Sequence, residues 1–152
     1  MKYFAYGSNM SLARMKAERK INFTNRQHAV LKHYSLQFNK LATGKDAKPG
    51  EGKGNIVCDK EGLVEGALYD IEPVDRNKLD CFEGYPFHYN RITVMIQLDN
   101  GSVVEAFTYI AQPDKIRDGL KPTKKYLDYY LKADDILSPR YLQKLKSWPT
   151  VD

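Results

Sequence analysis

Two short stretches of the chain hold the residues whose types and spacing could do chemistry. The first, residues 3–9, reads YFAYGSN, which is a strand that ends in a glycine turn. If a helix follows, the N–H groups around Gly7 and Ser8 converge, and the helix dipole adds positive potential, so the turn can hold a carboxylate or a developing oxyanion. Glycine lets a ligand approach the backbone closely. A plain strand-to-helix connection explains the same residues equally well.

The second stretch, residues 79–89, reads LDCFEGYPFHY and centres on Glu83. Aromatic residues lie on both sides of Glu83, and Gly84 is a helix-stop signal. A carboxyl group among aromatic side chains tends to have a raised pKa, which suits a general base. The alternative interpretation is an exposed glutamate at a helix end.

Other catalytic and binding motifs fail on spacing. The Gly/Lys-rich stretch 42–54 is not a phosphate-binding P-loop, because Gly54 follows Lys53 where Ser or Thr is required. The segment AYGSNM lacks the flanking glycines of a nucleophile elbow. The three histidines have no metal-ligand spacing, so we expect no metal site. A cysteine–histidine nucleophilic site remains open, but no pattern in the sequence supports it.

Length and composition favour one ordinary soluble globular domain. The chain has 152 residues with 42% hydrophobic and 28% charged residues, which predicts one domain over 1–152. The start has no signal-peptide pattern, and no apolar run approaches the roughly 18 residues of a membrane span. Cys58 and Cys81 stand apart. We therefore expect a cytoplasmic protein with two reduced thiols and no membrane partner.

The net charge of +5 and pI near 9.1 raise the question of nucleic-acid binding. Lysine and arginine predominate over residues 1–53, whereas acidic residues predominate over 54–113. The basic residues are scattered and are not interleaved with stacking aromatics as in an RNA-binding sheet. We expect no nucleic-acid partner, and an RNA-associated basic protein is the least favoured alternative. A basic surface would also attract small anions.

The patterning predicts more strands than helices. Predicted strands cover 2–6, 28–39, 55–58 and 63–71, the last two separated by the turn DKEG, with a loop over 42–54. A hairpin is predicted over 89–98 and 103–110. Helices are predicted over 11–18, 73–82, 126–131 and 140–147. Because the order is not a regular βαβ alternation, we expect an α+β fold, a small mixed β-barrel or curved sheet flanked by α-helices.

In their order along the chain, these stretches resemble the γ-glutamylcyclotransferase superfamily, which shares the AIG2-like fold. YFAYGSNM resembles its N-terminal substrate loop, GNIVCDKEGLVEGALYDI its central strand pair, and LDCFEGY the segment with its catalytic glutamate. PTKKYLDYYL followed by SPRYLQKLK resembles its C-terminal region, where a tyrosine reaches the substrate. The resemblance covers nearly the whole chain.

The resemblance implies a small-molecule γ-glutamyl substrate, release of 5-oxoproline by attack of the substrate's own α-amine, and no cofactor. It implies that Glu83 is the catalytic base and acid, and that Tyr126 closes the site. The residues implied to line the substrate pocket are Tyr3, Phe4, Ala5, Tyr6, Gly7, Ser8 and Asn9. A non-catalytic member of the fold that binds a small anion remains the alternative. The leaving group stays open among glutathione, γ-glutamyl amino acids, γ-glutamyl-lysine and a biosynthetic γ-glutamyl intermediate.

Overall fold

A computed structural model describes residues 1–152, which form five strands and three α-helices. In chain order these are β1 (Lys2–Ala5), β2 (Phe23–Leu41), β3 (Gly52–Ile71), α1 (Pro73–Glu83), β4 (Tyr89–Leu98), β5 (Val103–Ala111), α2 (Lys124–Leu131) and α3 (Pro139–Lys146). Short 3-10 turns occupy Ser8–Met10 and Pro113–Lys115, and a π-helical turn occupies Arg14–Glu18.

The strands form a closed barrel in the order β1-β3-β2-β4-β5. Each neighbouring pair is antiparallel except β1 and β5, which are parallel and pair at Tyr3 and Phe107. The predicted α+β fold with a small mixed β-barrel and flanking helices is therefore confirmed. Because β1 lies between β3 and β5, the residues that follow β1 lie at one end of the barrel.

The β2–β3 hairpin is longer than the sequence patterns predicted. The prediction of a turn at DKEG is wrong, because β3 continues through these residues as one strand. The β2–β3 register shifts between Lys32 and Tyr34, so residues 59–62 bulge opposite His33. The bulge absorbs the turn-forming residues while the strand keeps its direction.

The loop and the first helix also differ from the prediction. The loop is shorter than 42–54, because Leu41 pairs with Gly52 and extends the hairpin. The helix predicted over 11–18 is mainly the π-helical turn, in which the Arg19 N–H donates to the Arg14 carbonyl at 2.8 Å. These short turns replace the regular helix that was expected after the glycine turn.

Helix α1 follows its sequence signals closely. Pro73 occupies the first turn, and Glu72 and Asp75 form a reciprocal capping box. Gly84 takes a left-handed conformation with φ 63° and ends the helix, as predicted. Glu83 is therefore the last helical residue, at a point where the chain turns away.

The other two helices begin at side-chain caps. Thr123 accepts from the Tyr126 N–H at 3.1 Å, and Ser138 accepts from the Tyr141 N–H at 3.2 Å. Helix α2 packs on the Ser8–Met10 turn. None of the helices combines the length and apolar character needed to cross a membrane.

Gly66 of β3 allows β1 to pack closely. A Cβ at this position would lie 2.5 Å from the Ala5 carbonyl oxygen and 2.8 Å from the Phe4 ring. Both contacts are with buried groups that have little room to move. A side chain at Gly66 would therefore displace β1 and the turn that follows it.

We expect Gly66→Ala to destabilise the protein by about 1–3 kcal/mol, the usual cost of overpacking. Urea unfolding followed by circular dichroism measures this change. Gly7→Ala is the control and should cost less, because its nearest neighbour, the Tyr130 hydroxyl, would lie 3.2 Å from the new Cβ. Equal unfolding midpoints for Gly66→Ala and the unchanged protein would contradict the packing argument.

Candidate functional site

A cavity of about 270 Å³ lies where the end of β1, the end of α1 and helix α2 meet. Its volume is near the lower end of the range for small-molecule sites. It brings together seven of the residues singled out from the sequence, which are Tyr3, Tyr6, Gly7, Ser8, Asn9, Glu83 and Tyr126. The two stretches with predicted chemistry therefore face the same space.

Phe4 and Ala5 do not line this cavity, so the prediction that all of residues 3–9 line a pocket is corrected. Phe4 has no exposed surface, and its carbonyl accepts from the Thr108 hydroxyl at 2.7 Å. Ala5 is 1% exposed and pairs with Ala67 of β3. Both residues belong to the barrel core, since successive side chains of a strand point to opposite faces and the strand is covered on both.

The side-chain amide of Asn9 links the two stretches directly. Its Nδ2 donates to the Tyr3 hydroxyl at 3.1 Å and to Glu83 Oε1 at 3.2 Å. Its Oδ1 accepts from Arg19 Nε at 3.3 Å, which fixes the orientation of the amide. The Tyr69 hydroxyl also donates to the main-chain carbonyl of Asn9 at 2.8 Å. Asn9 is thus held on both sides and presents two donors to its neighbours.

Glu83 is the only carboxylate among the cavity-lining residues. Burial raises the pKa of its carboxyl group above the ordinary value. The positive charges of Arg19, Arg14 and Lys40 and the hydrogen bond from Asn9 oppose that rise. Because burial is the largest effect, the geometry supplies a carboxyl group whose affinity for a proton is increased.

The glycine turn offers unpaired backbone donors to the cavity. The N–H groups of Gly7, Ser8 and Asn9 donate to no backbone acceptor, although all three residues line the cavity. The helix expected after them is only a 3-10 turn, so we expect little of the predicted dipole contribution. Gly7 has φ −113°, so the glycine supplies space here and not a left-handed conformation. Adjacent free N–H groups of this kind can bind an anion.

Two tyrosines of α2 cover the turn. The Tyr126 hydroxyl accepts from the Gly54 N–H at 3.1 Å and shares a hydrogen bond of 3.2 Å with the Tyr130 hydroxyl. Burial raises the pKa of both phenols, so both stay protonated near neutral pH. The sequence resemblance predicted Tyr126 but not Tyr130, although a spacing of four residues on one helix places both on the same face.

The cavity wall carries four cationic side chains that the sequence analysis did not assign, namely Arg14, Arg19, Lys40 and Lys53. The two arginines lie in the segment that follows the glycine turn, and their nearness in sequence was a usable signal. Lys40 contacts His88 with 3.2 Å between Nζ and Nδ1, and their separation of 48 residues left no local signal. The cavity is therefore strongly positive around one carboxylate.

A family model described as gamma-glutamyl cyclotransferase, AIG2-like, matches residues 3–130. The matched range includes every residue of the cavity described above, from Tyr3 to Tyr130. The match covers well over half of the chain, so it bears on the whole barrel and not on one motif.

Two curated relatives match over shorter segments. A provisionally named gamma-glutamylcyclotransferase of Methanocaldococcus jannaschii is 35% identical over 54 residues, which cover 36% of this chain and 45% of that protein. One of Drosophila melanogaster, named in the same way, is 29% identical over 72 residues, covering 46% of this chain and 40% of that protein. The matched segments span less than half the length of these relatives.

Solved structures share the fold over nearly all of the chain. An uncharacterized human protein has a TM-score of 0.85 at 23% identity and covers 99% of this chain and 89% of its own. A gamma-glutamyl cyclotransferase has a TM-score of 0.84 at 22% identity, with the same coverage. YkqA of Bacillus subtilis has a TM-score of 0.82 at 26% identity and covers 99% of this chain and 55% of its own.

We expect the half-buried carboxyl of Glu83 to make stability depend on pH. The pKa of Glu83 is raised in the folded protein. Its contribution to stability is therefore complete below the pKa of glutamate in the unfolded chain, and it is lost as pH rises through the pKa in the folded protein. Glu83→Gln should remove this loss. The variant should be more stable than the unchanged protein at pH 8, with a smaller difference at pH 4.

Urea unfolding at both pH values measures this difference. Glu61→Gln, which changes an exposed glutamate of the β3 bulge, is the control and should show no difference that grows with pH. A Glu83→Gln variant that is equally or less stable at pH 8 would contradict the assignment of a raised pKa.

Proposed function

Because the chain belongs to the gamma-glutamyl cyclotransferase, AIG2-like family, we propose that it releases 5-oxoproline from a γ-glutamyl amino acid, peptide or amine. The observation that carries the proposal is the position of Glu83, the one carboxylate of the cavity, beside Asn9 and the free N–H groups of the turn. Glu83 acts first as the base and then as the acid.

The reaction needs no nucleophile from the protein. The α-amine of the substrate attacks its own γ-carbonyl, a new C–N bond closes a five-membered ring, and the bond to the leaving nitrogen breaks. Since both reacting groups belong to one molecule, much of the orientational entropy is already supplied. The protein has to move protons and stabilise the oxyanion.

Glu83 serves the proton transfers. An α-ammonium has a pKa near 8 and an ordinary glutamate about 4.3, so this transfer costs ~5 kcal/mol, and each unit of rise in the glutamate pKa removes about 1.4 kcal/mol. Burial raises the Glu83 pKa in this direction. The protonated carboxyl then donates to the departing nitrogen, which leaves as an amine. The carboxylate, ionised again, takes the second proton of the ring nitrogen and passes it to the released amine.

The glutamyl group is held by the turn and the tyrosines in this proposal. The N–H groups of Gly7, Ser8 and Asn9 bind its α-carboxylate or the oxyanion that forms on the γ-carbonyl oxygen. The Tyr126 hydroxyl closes the site, and Tyr3 and Tyr6 complete the wall. Preorganised donors of this kind stabilise developing charge without reorganisation during the reaction.

A binding protein without catalysis is the competing interpretation. A carboxylate in the cavity wall gives such a protein no advantage, because it repels an anionic ligand. Incubation with a panel of γ-glutamyl compounds, followed by measurement of 5-oxoproline, separates the two. Binding without 5-oxoproline from any compound would favour the binding protein.

We expect Glu83→Gln to lower kcat by roughly 10²–10⁴-fold while the variant still binds the substrate, because glutamine keeps the shape but accepts no proton. The assay is 5-oxoproline release with calorimetry for binding. Glu61→Gln should keep the full rate.

In the unchanged protein kcat/KM should rise with pH as Glu83 ionises, with a midpoint above about 4.3. A Glu83→Gln variant at full rate would remove this residue from the mechanism.

We expect Gly7→Val to abolish both 5-oxoproline release and weak competition by sulfate. A Cβ at Gly7 would lie 3.2 Å from the Tyr130 hydroxyl and 3.9 Å from the Tyr126 hydroxyl, so the larger valine would fill the space above the N–H groups. Gly7→Ala should give a smaller loss. Kinetics with and without sulfate, on protein shown by circular dichroism to be folded, measure this. Normal kinetics in folded Gly7→Val would make the turn a structural connection only.

A further inference from the structure

One lysine of the cavity is buried without an acidic partner. Lys40 is 5% exposed, and it forms no ion pair in the structure. Its Nζ lies 3.2 Å from His88 Nδ1 and 5.5 Å from the centre of the Tyr89 ring. An ammonium group in this setting costs free energy unless it is paired. Glu83, the one carboxylate of the cavity, forms no ion pair with Lys40, so an anionic ligand would complete the pairing.

The neighbouring lysine shows the contrast. Lys53 lies directly across the β2–β3 hairpin from Lys40, and both line the cavity. Lys53 pairs with Glu51 at 3.2 Å and lies 4.2 Å from the centre of the Tyr126 ring. Two lysines that face each other repel, and only one of them has a carboxylate. Of these two facing lysines, Lys40 is the one without a carboxylate at ion-pair distance.

His88 fixes the position of the Lys40 ammonium. Its Nδ1 accepts from the Lys40 ammonium, so the ring proton sits on Nε2, which is free to donate. Burial and the charges of Lys40 and Lys115 lower the pKa of His88, which keeps the ring neutral near pH 7, although Asp114 acts in the opposite direction. The remaining N–H bonds of the Lys40 ammonium are free to donate, and charged donors of this kind suit a carboxylate.

Resting on the proposed function, we infer that Lys40, positioned by His88, binds a carboxylate of the leaving group, which makes Lys40 a specificity-determining residue. The turn at Gly7–Asn9 already serves the glutamyl group, and no hydrogen bond joins it to Lys40 or His88. The leaving amine emerges on the other side of the scissile bond and faces the remaining polar wall. The favoured substrates are γ-glutamyl amino acids or peptides that carry a carboxylate near the scissile amide, in preference to γ-glutamyl derivatives of simple amines.

Two compounds test this assignment, because they differ only in the carboxylate. L-γ-Glutamyl-L-alanine has it, and L-γ-glutamylethylamide does not. Lys40→Met should lower kcat/KM for the alanine compound by at least about tenfold, since a hydrogen bond to a charged group is lost, and should change it for the ethylamide less than about threefold. Lys32→Met, an exposed lysine of the same strand, is the control and should leave the ratio unchanged.

Calorimetry on the Glu83→Gln variant measures the preference for the carboxylate-bearing compound without turnover. There the alanine compound should bind more tightly than the ethylamide, and adding Lys40→Met should remove the difference. If the unchanged protein converts neither compound, the proposed function fails. The ratio of the affinities for the alanine compound and the ethylamide still decides the role of Lys40. Circular dichroism checks folding, and Lys40→Gln serves as the second variant.

Equal losses for both compounds would overturn the inference, because Lys40 would then serve the shared glutamyl group. Unchanged affinities for both compounds in folded Lys40→Met and Lys40→Gln would overturn it as well. A loss confined to the alanine compound, in kinetics or in binding, supports it.

Discussion

The side-chain amide of Asn9 is the contact on which the site depends, because it joins residues that are 74 positions apart in the chain. Arg19 holds the amide oxygen, so the two amide hydrogens face Tyr3 and Glu83. Both donors are thereby used, and the amide has one orientation that satisfies all its partners. A carboxyl group at the end of a helix would otherwise rotate freely, so this contact fixes the direction in which Glu83 presents its oxygens.

Two backbone features bring these groups within reach. Gly66 lets β1 pack tightly, and the parallel pairing of β1 with β5 closes the barrel next to the turn. Gly84 ends α1 immediately after Glu83, so the carboxyl lies at the helix end and not on its side. The site therefore requires a closed barrel and a well-defined helix end, and a shift in either would separate Asn9 from Glu83.

The charge balance of the cavity follows from how its cations are held. Arg19 lies 4.3 Å above the Phe82 ring, and Arg14 lies 4.1 Å above the Tyr129 ring. Neither arginine has a carboxylate partner within ion-pair distance. Aromatic faces orient a guanidinium without neutralising it, so its charge remains available to a ligand. This arrangement suits an anionic ligand and limits how far burial can raise the Glu83 pKa.

The sequence by itself determined the features that depend on nearby residues. The capping residues and Gly84 set α1, and alternation and turn residues set the β4–β5 hairpin. The link between YFAYGSNM and LDCFEGY came from the resemblance to a known family. Only the tertiary structure decided the continuous β3, the burial of Phe4 and Ala5 in the core, and the meeting of Lys40 with His88. Caps and turns depend on contacts within a few residues, so local sequence patterns predict them. Strand register and side-chain meetings across tens of residues depend on how the whole barrel packs, which no local pattern specifies.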